Sequence, residues 1–305
     1  MLRRSLRALI AAAIVTSTGP AFAQAQSEPQ ARFVSSFAWA SSDPAFGGFS
    51  GIELAPDGLA FTAISDRGFI ATGIFTRENR AIASVENFSI SALHGLNGPE
   101  MPRYFDDAEG LAIAEDGTIY ISFESEHRVW SYATPQSDAK ALPRHPDFKN
   151  MQNNSSLEAL AIDANGTLYT MPERSGEITR PFPIYRFKNG VWDQPFSIPR
   201  SGDYLLVGAD IGPDGRLYIL ERSLILLGFT SRVRSFKMGE KSLTDERLLI
   251  QSPLGLHDNL EGISVWRDGD ENIRLTMVSD NNFRAFQRNE IVEYTLTEPL
   301  VEAAE

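Results

Sequence analysis

The sequence predicts an all-β fold, a single β-propeller of four-stranded blades. Three observations carry this. One hairpin unit is written five times, the copies recur about every fifty residues, and a strand near the N-terminus has no sequence neighbour to pair with. Each unit is a short apolar strand, an Asp-Gly or Asn-Gly turn and a second β-rich strand. The turn residues are Asp57, Asp116, Asn165, Asp214 and Asp268, at intervals of 59, 49, 49 and 54. Hairpins repeated at that period describe propeller blades. The Asp-Gly and Asn-Gly pairs supply the positive φ angles of tight turns that match strand twist.

In chain order, residues 1–23 read as a secretory signal peptide. Arg3, Arg4 and Arg7 form a basic start, Ala8 to Val15 an apolar run too short to span a bilayer, and Ala21-Phe22-Ala23 a cleavage site. A short disordered stretch over 24–31 and one propeller domain over 32–298 complete the expected organisation, with export to the periplasm or the medium. Arg32–Trp39 is the unpaired strand. The first unit, Ser50–Ser65, is followed by strands over Phe69–Thr76 and Ala81–Ile90. The second, Glu109–Ser122, is followed by His127–Tyr132 and a weak stretch near Ala139. The third, Glu158–Met171, leads to Ile184–Phe187 and Trp192–Ile198. The fourth, Gly208–Leu220, leads to Arg232–Lys237 and Glu246–Gln251. The fifth, Glu261–Val278, has only Glu290–Leu296 after it. Arg32–Trp39 is therefore expected to complete the last blade and close the ring, hiding sheet edges that would otherwise template aggregation. The strand count favours five blades, with six left open by the 59-residue interval.

Composition narrows the function. With 28 Lys+Arg against 40 Asp+Glu the net charge is -12; losing Arg3, Arg4 and Arg7 with the signal peptide would take it to -15. A nucleic-acid partner needs a basic face, so that class is excluded, and cations or ligands carried by cations are favoured. The chain has no Cys, which excludes disulfides, thiolate metal sites and a Cys nucleophile. No H-E-x-x-H, G-x-S-x-G or P-loop pattern occurs, and no later apolar run is long enough for a membrane span.

Acids recur at two positions of the unit. Glu109, Glu158 and Glu261 stand just before the inner strand, where the other blades are aligned on Ser50 and Gly208. Asp66, Glu124, Glu173, Glu221 and Asp280 stand just after the second strand. A hairpin brings its own ends together, so about eight carboxylates should converge on one mouth. Such a cluster needs cations to be stable. Ca²⁺, which takes six to eight oxygen ligands, suits Glu109, Glu124, Glu158, Glu221, Glu261 and Asp280. Arg67, Arg174 and Arg222 follow three of the acids, and their planar forks suit phosphate; His257 is a further phosphate contact or general acid. Asp66, Glu109, Glu158, Glu173, Glu261 and Asp280 are the candidates for holding metal or activating water. The same acid-Arg pairs also suit plain salt bridges between blades. The turn acids, at the opposite end of each hairpin, read as structural, and Trp39, Trp130, Trp192 and Trp266 as packing.

The chain resembles the phytase-like domain family, also described as having esterase-like activity of phytase. Phe46-Gly-Gly-Phe-Ser-Gly-Ile-Glu53, Ile64-Ser-Asp-Arg-Gly68, Asp107-Ala-Glu-Gly-Leu111, Glu158-Ala-Leu160, Pro172-Glu-Arg174, Asn259-Leu-Glu-Gly-Ile263 and Ser279-Asp-Asn281 carry the resemblance, which spans roughly Phe46 to Thr295. It implies an exported β-propeller with acidic residues at its site and phosphoester hydrolysis as the activity. Together the readings lead to a metal-assisted hydrolase of a small phosphorylated or ester substrate, expected as a monomer. A non-catalytic propeller binding a ligand or protein is the alternative. So is a calcium-dependent esterase or lactonase, kept open by Asn259, Asn281 and Asn282.

Overall fold

A computed structural model describes residues 31–296 apart from Glu100, Asn154, Leu227 and Ala285. The expected signal peptide and the stretch after it lie outside the described residues, save Ala31. Five antiparallel sheets of four strands form the blades. Blade I is β2 (Phe49–Leu54), β3 (Ala60–Ser65), β4 (Phe69–Glu78) and β5 (Ala81–Ala92). Blade II is β6 (Ala108–Ile113), β7 (Ile119–Phe123), β8 (Arg128–Tyr132) and β9 (Lys140–Ala141). Blade III is β10 (Leu157–Ile162), β11 (Leu168–Pro172), β12 (Phe182–Lys188) and β13 (Val191–Ile198). Blade IV is β14 (Leu205–Ile211), β15 (Arg216–Ile225), β16 (Gly228–Met238) and β17 (Leu243–Gln251). Blade V is β18 (Asn259–Arg267), β19 (Ile273–Asp280), β20 (Glu290–Leu296) and, outermost, β1 (Ala31–Ala38).

The ring has five blades and is closed by the N-terminal strand, as the unpaired strand required. β1 pairs with β20 from Ala31 opposite Leu296 to Ala38 opposite Glu290. The seam between blades V and I is well fastened. Trp39, directly after β1, stacks on Phe49 at 4.3 Å between ring centroids and meets Phe46, Phe61 and Phe88 edge-on. Arg77 of β4 grips Glu293 of β20 with two bonds of 2.8 and 2.9 Å, and Arg274 reaches the same carboxylate at 2.9 Å. β18 and β2 pass so closely that a Cβ on Gly262 would lie 2.8 Å from the Cα of Gly51. The inner strands β2, β6, β10, β14 and β18 surround the axis and are mostly buried on both faces, hence their near-continuous apolar runs. The core lies between blades, in clusters such as Val207, Leu220, Leu260 and Met277 between IV and V. Only about 10 Å³ of space remains on the axis, bordered by Ser50, Glu109, Glu158 and Val207 among others.

Two local features differ from the sequence expectation. The inner hairpins do not end in turns with two positive φ angles. In the first four blades only the Gly has one (69°, 85°, 77° and 72° at Gly58, Gly117, Gly166 and Gly215). Each closes a turn by donating to the carbonyl three residues back, as Gly58 does to Ala55 at 2.8 Å. In the fifth blade Glu271, at φ 64°, holds that place instead of Gly269. The second feature is a register break in every inner hairpin. It falls between Phe49 and Gly51, Ala108 and Leu111, Leu157 and Ala159, Leu206 and Gly208, and Leu260 and Gly262. A β-bulge re-aims the side chain it carries. The residues set in these bulges are Ser50, Glu109, Glu158, Val207 and Glu261.

Candidate metal and active site

The bulges build the floor of the site. Glu109, Glu158 and Glu261, from three blades, sit at the axis and feel one another's charge. The second ring is fixed by pairing. Ser65, Phe123, Pro172, Glu221 and Ser279 lie opposite equivalent residues of the inner strands. The next residue in each blade, Asp66, Glu124, Glu173, Arg222 and Asp280, forms the ring. Blade IV thus departs from the alignment made on sequence by one residue at each end. Val207, not Gly208, is the bulge residue, and Arg222, not Glu221, faces the mouth.

Glu221 points the other way, because successive strand residues alternate faces. Its two oxygens accept from Arg232 (2.7 and 3.0 Å) and Arg234 (2.7 and 2.8 Å). Burial alone would raise its pKa, but the hydrogen bonds from the two arginines hold it below the ordinary carboxylate value. The structure does not bring it to the other acids.

Arg222 takes the vacated sector. One Nη donates to both Asn259 and Glu261, and the other lies 3.3 Å from Glu173. Burial opposes its charge, yet Glu261 and Glu173 raise its pKa and keep it a cation. Asn259 also donates to Glu261 at 2.9 Å and to Asp280 at 3.4 Å. Asp107 joins from blade II. Ligand oxygens of Asp107, Glu109 and Glu124 all lie within 4.8 Å of one another. Asp107 was missed as a candidate in its own right, although the Asp107-x-Glu109 spacing puts two acids on one strand end.

Eight carboxylates therefore meet, with Asp107 in the place expected of Glu221. Desolvation dominates their titration. It raises Glu109 and Glu158 well above the usual range, each reinforced by the other acids. Burial and the charges of Glu261 and Asp107 lift Asp66 to about 7. Burial lifts Glu261 to about 7 against the pull of Arg222, and Asp280 to about 6. Asp107 and Glu124 are raised by burial too, and carboxyls hydrogen-bond to carboxyls at Asp107–Glu109 and Glu124–Glu158. Acids held like this require protons or a cation between them.

The donor set fits a hard divalent ion. It is all oxygen. The nearby imidazoles are engaged elsewhere, His127 with Ser156 at 2.7 Å and His257 with Tyr294 at 2.7 Å. His257 is buried, with desolvation lowering its pKa, and it borders a cleft that Glu173 and Asp258 also line. Arg67 stands at the rim over Phe283, 3.2 Å from the ring centroid. With Arg103 it flanks a hollow of about 380 Å³ that Asp66 and Asp107 also border. Arg174 lies at the opposite rim, 3.3 Å from Glu173. The loops after the second ring are strained in two blades: Ser125 and Glu126 (φ 30° and 71°), and Asn282 and Phe283 (φ 47° and 50°), adopt left-handed backbone.

The fold and site together define a five-bladed propeller with an acid-lined mouth. The family profile described as phytase-like, esterase-like activity of phytase, matches residues 44–283, and the chain belongs to that family. No protein of curated function matches it in sequence. Among solved structures it is similar to the catalytic domain of a Coprinopsis cinerea GH62 α-L-arabinofuranosidase, with TM-score 0.53 and 12% identity over 88% of this chain and 98% of that one. It is also similar to a PQQ-bound aldose sugar dehydrogenase from Streptomyces coelicolor (TM-score 0.45, 10% identity, 88% of this chain and 100% of that one). A Xanthomonas campestris gluconolactonase gives TM-score 0.45 and 11% identity over 81% of this chain and 72% of that one. These likenesses concern the fold alone. No helix among the described residues is long and apolar enough to cross a membrane.

Proposed function

We propose that the protein is an exported, metal-assisted hydrolase of phosphoesters, with Ca²⁺ as the ion. The observation that carries this reading is the meeting of Asp107, Glu109 and Glu124 within 4.8 Å, inside a buried acid cluster whose central cation, Arg222, is spent on Glu173 and Glu261. Glu158, hydrogen-bonded to Glu124, is the natural fourth donor. When bound, the ion supplies Lewis-acid polarisation of a phosphoryl oxygen. Arg67 and Arg103, which both line the hollow, hold the remaining phosphate oxygens in their forks. Asp66, with a pKa of about 7 and a place on the same hollow, takes the proton of the attacking water, because a carboxyl titrating near neutrality serves as base or acid at working pH. Glu261 and Asp280 are held by Arg222 and Asn259 and keep the floor rigid.

A lactonase-type site, with a central cation held by Glu, Asn and Asp, is less well supported. The amide oxygen of Asn259 accepts from Arg222, and that of Asn281 from the N–H groups of Gly48 and Phe283. The deciding experiment is release of phosphate from phytate and from p-nitrophenyl phosphate, with Ca²⁺ and with EDTA. Metal-dependent turnover is expected, with kcat falling about 10²-fold in Asp66→Asn. No metal-dependent release from either substrate would sink the reading.

A further inference from the structure

A cleft of about 600 Å³ lies next to the hollow assigned to the phosphate and shares Arg67, Arg103 and Asp106 with it. The rest of its lining is largely apolar: Pro44, Phe69, Leu93, Pro99, Met101 and Phe283. Blade I and the loop leading to blade II form two of its walls. They meet where Gly68 packs on Asp106, so closely that a Cβ on Gly68 would lie 2.6 Å from the Cβ of Asp106. Much of the backbone along the cleft is already engaged. Phe69 and Ala92 face each other in the β4–β5 ladder, Leu93 N–H donates to the Gly68 carbonyl at 2.8 Å, and Ala45 N–H donates to Asp43 at 2.9 Å. A hydroxyl buried there would find few partners beyond the shared end.

The fold holds Phe283 in this wall against its backbone preference. Asn282 and Phe283 have left-handed φ of 47° and 50°, which a bulky side chain rarely adopts. The Asn281 side chain fixes the turn, accepting from the N–H of Phe283 at 3.2 Å and of Gly48 at 3.1 Å. A Cβ on Gly48 would run into both the Phe283 ring and the Asp66 carboxylate, so this wall and the proposed base are neighbours. Strain kept at such a place points to a use for the ring. The Arg67 guanidinium lies over it, 3.2 Å from the centroid. Asp66 and Asp106 act on Arg67 and Arg103 through charge, but among the described residues neither guanidinium makes a hydrogen bond or an ion pair. Both are free to take an anion. Asp66, Asp106 and Asp107 also border the hollow, so an anion there needs the proposed ion beside the two arginines.

We infer that this cleft receives the organic part of the substrate, and that the phosphate is esterified to an apolar, ring-bearing alcohol. The inference rests on the phosphoester reading for the head group and adds the class of alcohol. Because Arg67 and Arg103 border both spaces, a phosphate they hold stands where hollow and cleft join, with its alcohol toward Phe283 and Met101. Aromatic rings and a thioether are good neighbours for a flat apolar group. A polyol would lose water from its hydroxyls with little in return. The volume suits one small molecule.

Phosphonates test this independently of turnover, because phosphoester hydrolysis leaves their C–P bond intact. In calorimetry on the full chain in Ca²⁺, phenylphosphonate should bind tighter than methylphosphonate by roughly tenfold or more. Met101→Gln and Phe283→Ser, made separately and each checked for an intact Tm, should cut that gain to under about threefold. Arg103→Gln should weaken both ligands alike and keep the gain. Leu226→Ser, at an exposed apolar residue of blade IV, should leave both affinities as they are. Equal affinity for the two phosphonates, or a gain untouched by both Met101→Gln and Phe283→Ser, overturns the inference. So does a gain abolished by Leu226→Ser. In turnover, benzyl phosphate should exceed ethyl phosphate in kcat/KM by a similar factor. Ring-dependent binding with no metal-dependent release of phosphate from either ester would remove the hydrolase reading and leave the cleft assignment standing. Release from both at equal kcat/KM would do the reverse.

Discussion

At Arg222 one blade departs from the other four, and the electrostatics of the mouth follow from that exchange. The arginine neutralises the side of the ring formed by Glu173 and Glu261, while Asp107, Glu109, Glu124 and Glu158 keep mutual repulsion that protons or a metal must relieve. The consequence for stability has a definite sign. Asp66 and Glu261 titrate at about 7 and Asp280 at about 6, above ordinary carboxyls. The folded, metal-free protein therefore retains protons that the unfolded chain has already lost, so these groups favour the fold fully below the unfolded pKa and progressively less as pH rises through 6 to 7. In EDTA the Tm should fall from pH 5 to pH 7.5, and saturating Ca²⁺ should flatten the fall; a flat or rising Tm in EDTA contradicts this. Glu158→Gln removes one buried charge from the crowd. It should raise the Tm in EDTA at pH 7.5 by about 2–4 °C and shrink the Ca²⁺-induced rise, since it also removes the proposed fourth donor.

Strands and turns explain both what could be read in the sequence and what could not. The blades were legible because each inner hairpin announces its turn, and Gly58, Gly117, Gly166 and Gly215 do stand at those turns with positive φ. The bulges were not legible, because an extra residue in a buried strand leaves the apolar pattern unbroken. Yet they aim Glu109, Glu158 and Glu261 at the axis. In blade IV the expected pairing is one residue out of register with the observed one, and a one-residue shift turns every side chain to the other face. The expected register sets Glu221 in the mouth; the observed one sets Arg222 there and turns Glu221 to Arg232 and Arg234. A usable signal was present. The bulge residue stands seven before the turn residue in every blade, from Ser50 and Asp57 to Glu261 and Asp268, and that spacing selects Val207 in blade IV. The two roles separate experimentally. Glu221→Gln leaves Arg232 and Arg234 without their buried counter-charge and should cost about 3–5 kcal/mol in chemical denaturation. Ca²⁺ affinity should be unchanged; a large loss of affinity at retained stability would return Glu221 to the metal site.

The whole ring depends on one strand. β1 covers the edge of β20, and Trp39 and the Arg77–Glu293 pair fasten blade V to blade I. Deleting residues 31–38 bares that edge, and the shortened protein should associate through it and elute as dimers or larger species. A synthetic peptide spanning Ala31–Trp39 should restore the monomer-sized species. Unchanged elution after the deletion would show that the seam holds without its strand. The arrangement also sets an order of events in time. β1 is made early and its partner β20 late, with some 250 residues between them; at ~5–20 residues per second the ribosome needs on the order of tens of seconds to cover that distance. Blades I to IV can form as they emerge, but the fifth waits for its last strand. The seam that completes the mouth can therefore close only once β20 has been made, and until then the pace of translation decides how long an unpaired edge stays available to the wrong partner.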